Sequence, residues 1–233
     1  MSNKLFIIAV IPGIVLAILI YLVDRYDKEP IKTLIKVLIL GAISVIPTIL
    51  VEKFLVSLNY FSGLLKIVFN AFIIAGLTEE FFKREVVLRS VFKKQVFNEK
   101  LDGIIYCSFS ALGFATVENI MYVVFDVSPS YYVGLYRGIF SVPAHLLFAV
   151  TMGYYISLSK FSNNRDLKKK FLKKSLLVPA VFHGIFDFIL MSQNMFLAIL
   201  FLPFVAYLWL INLKKLNKYY LESKKENELK SVK

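Results

Sequence analysis

Three features of the sequence predict an all-α, polytopic transmembrane helical bundle of about seven spans. The chain is 58% hydrophobic over 233 residues, with 22 Phe and 13 Tyr; soluble domains average about 45–50% apolar. Mean hydropathy is +0.68. Apolar runs of roughly 20 residues recur along the whole chain with short polar gaps, and no period-two alternation of barrel type interrupts them.

The first run, near residues 4–23, leads into VDRYDKEP without a small-residue cleavage site, so it reads as a retained helix and not a removed signal peptide. Further runs lie near 33–57, 64–88, 102–125, 134–159, 171–190 and 195–213. Glycines and prolines within several of them are tolerated in membrane helices. The gaps alternate in charge. Arg25, Lys28 and Lys32 mark one basic gap, Arg89, Lys93, Lys94 and Lys100 the next, and Lys160, Arg165, Lys168, Lys169 and Lys170 a third. The intervening gaps LNYFSG, FDVSPSYYVG and MSQN contain no Lys or Arg. The positive-inside rule therefore predicts an outward N-terminus and a cytoplasmic C-terminus. Residues 1–213 are expected to form one integral domain, and 214–233 a basic cytoplasmic tail attracted to anionic lipid.

The net charge of +12 resides in loops and tail and not along one amphipathic face, so lipid, and not nucleic acid, is the implied partner. Cys107 is the one cysteine. It excludes an intrachain disulfide and a cysteine zinc cluster, and reads as a free thiol packed in a span.

Ionisable side chains inside a bilayer cost about 2.5–3.5 kcal/mol each on insertion scales, so each needs a partner, a wet cavity or a task. The third span holds Glu79, Glu80, Lys83, Arg84 and Glu85; the fourth Glu118 with Asn119; the fifth Arg137 and His145; the sixth His183 and Asp187. Both histidines of the chain lie in spans, and histidine is the side chain best suited to act as acid, base or metal ligand near neutral pH. Glu79 and Lys83 are four apart, as are Glu80 and Arg84, which predicts one cation a turn beyond each acid on the same face. His183 and Asp187 share that spacing, which lets the carboxylate fix the imidazole.

Depth tests the grouping. With a rise of 1.5 Å per residue, Glu118 and His183 fall about 12 Å and His145 about 16 Å below the outer ends of their spans, but Glu79 falls about 22 Å below its own. The third span must therefore start late, bend, or face a water-filled funnel.

Carboxylates, two histidines and an asparagine, without a serine beside a base or a Gly-rich phosphate loop, point to hydrolysis by an activated water. Either a glutamate takes the proton while imidazole and amide stabilise the oxyanion, or His and Glu hold a divalent metal such as zinc that acidifies the water. A transporter or proton relay also uses buried Glu, His and Asp, and in a non-enzymatic scaffold the same residues would only join helices.

The ordered motifs EEFFK at 79–83, GFATVEN at 113–119, the histidine of FSVPAHLLF at 140–148 and HGIFDF at 183–188 resemble the PrsW family of intramembrane proteases, distantly related to the CAAX prenyl endopeptidases. DRYDKEP after the first span and LDGIIY opening the fourth are similar to it too. The resemblance implies a multi-pass protease of the bacterial cytoplasmic membrane making the first, extracytoplasmic-side cut in a single-span anti-sigma factor, which leads to release of an envelope-stress sigma factor. It also implies Glu79 or Glu80 as the water-activating acid, with Glu118, His145 and His183 completing the site and Lys83, Arg84, Asn119 and Asp187 supporting it. The chain has Glu80 followed by Arg84 as the wider superfamily does, but Glu118 where the prenyl endopeptidases have histidine and Asp187 where they often have asparagine, which argues against prenylprotein processing.

Overall fold

The computed structural model describes residues 2–125 and 130–231, and among them every regular element is helical. The order is α1 (Ser2–Val23), α2 (Ile31–Ile43), α3 (Val45–Ser57), α4 (Gly63–Val68), a π-helical segment π1 (Phe69–Leu77), α5 (Thr78–Ser90), α6 (Lys100–Val124), α7 (Tyr131–Tyr136), a second π-helical segment π2 (Arg137–Ser141), α8 (Val142–Lys160), α9 (Arg165–Met191) and α10 (Met195–Ser231). Six helical stretches are long and apolar enough to cross a membrane: Asn3–Val23, Ile31–Ser57, Lys100–Val124, Tyr131–Lys160, Arg165–Met191 and Met195–Lys230. The expected third span, 64–88, is helical as well, but its acids and cations keep it out of that set. Its charged residues Glu79, Glu80 and Lys83 are buried against other helices. Residues 126–129 of the FDVSPSYYVG gap and 232–233 of the tail lie outside the described residues.

Local chemistry accounts for the element boundaries. The run at 31–57 is two helices because Pro47, in the first turn of α3, cannot donate to the residue four before it; Ser44 and Thr48 hydroxyls instead donate to the Gly41 and Ser44 carbonyls at 2.6 and 2.8 Å. At the start of α6, Glu99 and Asp102 form a reciprocal capping box. Asn164 caps α9 by accepting from the Asp166 and Leu167 amides at 2.8 and 3.1 Å.

The core is built around α6, which is buried on every face from Leu101 to Ala115 and packs on α1, α2, α5 and α8. Small residues permit that enclosure. A Cβ on Gly153 of α8 would overlap the Gly103 carbonyl of α6, and one on Gly113 of α6 would overlap the Leu38 carbonyl of α2. Outside this core α1 exposes Phe6, Ile7, Ile11, Ile14, Ile18 and Leu22, an apolar face suited to acyl chains. Cys107 is a free, buried thiol, as expected.

The basic gaps gather at one end of the bundle. Asp27 accepts from Asn98 Nδ2 at 3.2 Å and Lys230 Nζ at 3.3 Å, Lys100 pairs with Glu222 at 2.8 Å, and Asn227 Nδ2 donates to the Tyr26 carbonyl at 3.0 Å. The tail from Lys214 continues α10 as unbroken helix across this end. Beneath it lie three buried carboxylates outside the spans. Burial pushes the Asp24 carboxyl up to about 6 and those of Glu29 and Glu99 up to about 7. Asp24 accepts from the Glu29 amide at 2.6 Å, and Glu29 takes the Tyr106 hydroxyl hydrogen.

Candidate active site

Two groups of site residues follow irregular helix. Glu79, Glu80 and Lys83 occupy the first turns of α5, directly after the nine residues of π1. His145 lies in the first turn of α8, directly after π2, whose first residue is Arg137. Single-turn π-bulges recur at functional sites because an extra residue in the turn re-aims the side chains that follow; here two longer π segments lead into the two halves of one site. Glu118 comes from α6, and His183 and Asp187 from α9.

Lys83 is the hub. Its side chain is 1% exposed, and Nζ donates to Glu79 Oε2 at 2.9 Å, Glu80 Oε1 at 2.8 Å and His145 Nδ1 at 2.9 Å. An ammonium has three hydrogens and no acceptor, so all three are committed. It also lies 4.3 Å from the centre of the Phe114 ring. The expected i, i+4 pair of Glu79 and Lys83 is present.

The donor rule fixes a tautomer. His145 Nδ1 faces an ammonium and must accept, so Nε2 carries the hydrogen and donates to Glu118 Oε2 at 2.9 Å. Arg137 holds Glu118 from the other side, Nη2 to Oε2 at 3.0 Å, while its Nε donates to Asn119 Oδ1 at 3.0 Å. Asn119 in turn donates to the Ala9 carbonyl at 2.8 Å, tying α1 to the site. Its amide is therefore committed to structure. The oxyanion role expected of an amide thus does not fit Asn119; Arg137 lines the cavity and, among the described residues, its Nη1 has no hydrogen-bond partner.

His183 lies between carboxylates: Nδ1 is 3.1 Å from Glu80 Oε1, and Nε2 is 3.4 Å from Asp187 Oδ2 and 4.0 Å from Glu79 Oε2. The expected i, i+4 contact with Asp187 is present. Phe148 stacks on the ring at 5.0 Å between centroids, and the two histidine rings stand 5.2 Å apart.

Arg84 does not join this group. Glu80 pairs with Lys83 at i, i+3, and Arg84 instead donates from Nε to Ser175 Oγ at 2.9 Å and from Nη2 to the Leu172 carbonyl at 3.1 Å. The expected Glu80–Arg84 pair is thus corrected: residue 84 is turned about 100° around the helix from residue 83 and reaches α9, where it clamps α5.

A cavity of about 590 Å³ opens onto the cluster and is lined by Glu79, Glu118, His145, His183, Asp187 and Arg137, among others. Glu80, fully buried, stands behind its wall. The same cavity reaches Val56, Phe125 and Met191 at the far ends of α3, α6 and α9, so the depth conflict over Glu79 has a physical answer: a funnel descends to it. Glu52, on α3, also lines this cavity. The sequence reading missed it, although an acid inside an apolar run was the signal.

One ligand atom from each of Glu79, Glu80, His145 and His183 lies within 4.8 Å of all the others. The donor chemistry fits a divalent ion: two imidazoles and two carboxylates, with Glu80 Oε2 buried and without a hydrogen-bond partner. The charges fit as well: around the two rings stand four acids, Glu79, Glu80, Glu118 and Asp187, and among the described residues the cations paired with them are Lys83 and Arg137.

Comparison with known proteins agrees with this geometry. A family model described as PrsW family intramembrane metalloprotease matches residues 29–211. "Protease PrsW" of Clostridioides difficile (strain 630) is 42% identical over 226 residues, covering 97% of this chain and 95% of that protein. The proteins of the same name from Oceanobacillus iheyensis and Bacillus subtilis (strain 168) are 38% and 35% identical, each over 89% of this chain and 92% and 91% of their own. No solved structure matches. A transporter and an inert scaffold are thereby set aside in favour of a peptidase. With buried acid and histidine converging at the foot of a cavity in a multi-pass bundle of the bacterial cell membrane, the chain belongs to the PrsW family of intramembrane metalloproteases.

Proposed function

We propose that the protein makes the first, extracytoplasmic-side cut in a single-span membrane protein, an anti-sigma factor, and so starts release of an envelope-stress sigma factor. The carrying observation is that Glu79, His145 and His183, from three separate elements, meet at the foot of a cavity reaching the bundle end opposite the basic gaps. Under the positive-inside rule that end is extracytoplasmic, with the N-terminus outside and the C-terminus in the cytoplasm. The unit is one integral domain over 1–213, with 214–233 as its basic tail.

Glu79 faces the cavity and is the carboxylate that takes the proton from the attacking water. Glu80, behind it, is a positioning residue that fixes Lys83 and His183 through one oxygen. Glu118 holds His145 in its tautomer. Arg137 keeps Nη1 as a donor beside the cavity, where negative charge develops on the scissile carbonyl oxygen, and His183, fixed between Glu80 and Asp187, positions the acids. A divalent ion held by Glu79, Glu80, His145 and His183 would supply Lewis acidity and lower the pKa of a water. Lys83 holds three of those four residues, its ammonium at hydrogen-bond distance from Glu79, Glu80 and His145, so ammonium and ion would compete for them.

The test is co-expression of a tagged single-span substrate with the wild type, Glu79→Gln, Glu80→Gln and His183→Ala. Loss of the cut product in all three, with the proteins still in the membrane, is expected. Continued cutting by Glu79→Gln and His183→Ala would refute the site.

A further inference from the structure

One acid in the cavity wall has no ion-pair partner among the described residues. Val45, Thr48, Ile49, Glu52 and Val56 form the stripe of α3 that lines the cavity, with the i, i+3, i+4, i+7 spacing of a single helix face. Glu52 is its one ionisable member. The opposite face of α3, with Ile46, Leu50 and Phe54, is exposed as a lipid-facing surface would be.

The cations of the site are committed elsewhere, Lys83 to Glu79, Glu80 and His145, and Arg137 to Glu118 and Asn119. Among the described residues Glu52 has no hydrogen bond or ion pair, though it lies within electrostatic reach of Glu79, Glu118, Lys83 and His183. It is also at the right level. Glu52 is about 8 Å from the end of α3 and Glu118 about 9 Å from the end of α6 at the same mouth. An intramembrane acid without a partner is costly unless a ligand supplies the charge.

We propose that Glu52 is a specificity-determining residue that accepts the cationic side chain of a lysine or arginine flanking the scissile bond of the membrane substrate. This rests on the protease reading above. The chemistry is a carboxylate in the cavity wall facing an ammonium or guanidinium, a pairing whose loss leaves the substrate charge uncompensated. Glu52 makes and breaks no bond in the reaction; it sets which stretch of an extended chain stops beside Glu79.

The experiment uses the full-length protease in liposomes with synthetic single-span peptides, identical except for Lys, Gln or Glu at each of the four positions on either side of the cut bond. Products are quantified by mass spectrometry, and the ratio of kcat/KM for Lys over Gln is compared within each variant. The wild type is expected to favour Lys about tenfold at one position, which corresponds to about 1.4 kcal/mol. Glu52→Gln should bring that ratio to within about twofold of unity, Glu52→Asp should retain it, and Glu52→Lys should favour Glu at the same position. An unchanged Lys preference in Glu52→Gln, or none in a cutting wild type, overturns the proposal and leaves the protease reading standing. A folded Glu52→Gln that cuts no peptide also overturns it, since Glu52 would then act in the chemistry. Failure of the wild type to cut any peptide would sink the protease reading and this proposal together.

Discussion

Replacing Lys83 with methionine separates the two cations that the buried cluster can hold. Methionine nearly keeps the length and removes the charge, leaving Glu79 at the cavity and Glu80 behind it without the ammonium that now sits 2.8–2.9 Å from both. Removing one partner of a buried ion pair costs about 3–5 kcal/mol, because the remaining charge is uncompensated. In a chelator, Lys83→Met should therefore unfold well below the wild type. Zinc should then do for the variant what the ammonium does for the native chain. Because no tethered cation has to be displaced, the variant should bind zinc at least about tenfold more tightly, a difference of about 1.4 kcal/mol. At a free concentration of about 100 times its Kd, zinc would return about 2.7 kcal/mol of stability. The assay is thermal unfolding of purified protein in detergent, with chelator or buffered zinc, together with calorimetric titration of each protein. A variant as stable as the wild type in chelator, or one that binds zinc no better, would refute the reasoning that ammonium and metal share one position.

Three other outcomes follow from the same contacts. Arg137→Met removes the Glu118 and Asn119 contacts together and should lower kcat by about 10²-fold with a smaller change in KM, as loss of an oxyanion donor does; a change confined to KM would assign the arginine to binding. Gly153→Val should abolish accumulation of folded protein in the membrane, since the added carbons meet the Gly103 carbonyl backbone-on, and protein accumulating at wild-type levels would show that α6 and α8 can part. The third concerns pH. Asp24, Glu29 and Glu99 have folded-state pKa values raised by burial to about 6, 7 and 7, so the folded form binds protons more tightly than the unfolded form. Their contribution to stability is greatest below the unfolded values near 4 and is lost as pH rises through about 7. The melting temperature should fall between pH 5 and pH 8, and Asp24→Asn with Glu99→Gln should flatten that slope.

The residues of the site were legible in the chain because a bilayer makes polar side chains conspicuous. Glu79, Glu80, Glu118, His145 and His183 stand out in apolar runs, and four of them come together around the ammonium of Lys83. Pairing along one helix was also legible where both partners face the same neighbour, as for His183 and Asp187. It misled at Arg84, because i, i+4 spacing states which groups can meet on an isolated helix, while α9 offered that guanidinium a hydroxyl and a carbonyl.

The sequence by itself determined that the chain is a helical membrane bundle, which segments are apolar enough to span, and which few ionisable groups must have a partner or a task. Those follow from transfer free energy, which is additive along the chain and needs no knowledge of neighbours. Only the tertiary structure decided that Lys83 and not Arg84 neutralises the acids, that His145 carries its hydrogen on Nε2, that Glu80 is hidden while Glu79 meets the cavity, and that Glu52 stands in the cavity wall without a partner among the described residues. Each depends on contacts between residues far apart in the chain, and on two π-helical segments whose extra residue per turn rotates everything after them. Hydropathy and ideal helical spacing carry no term for either.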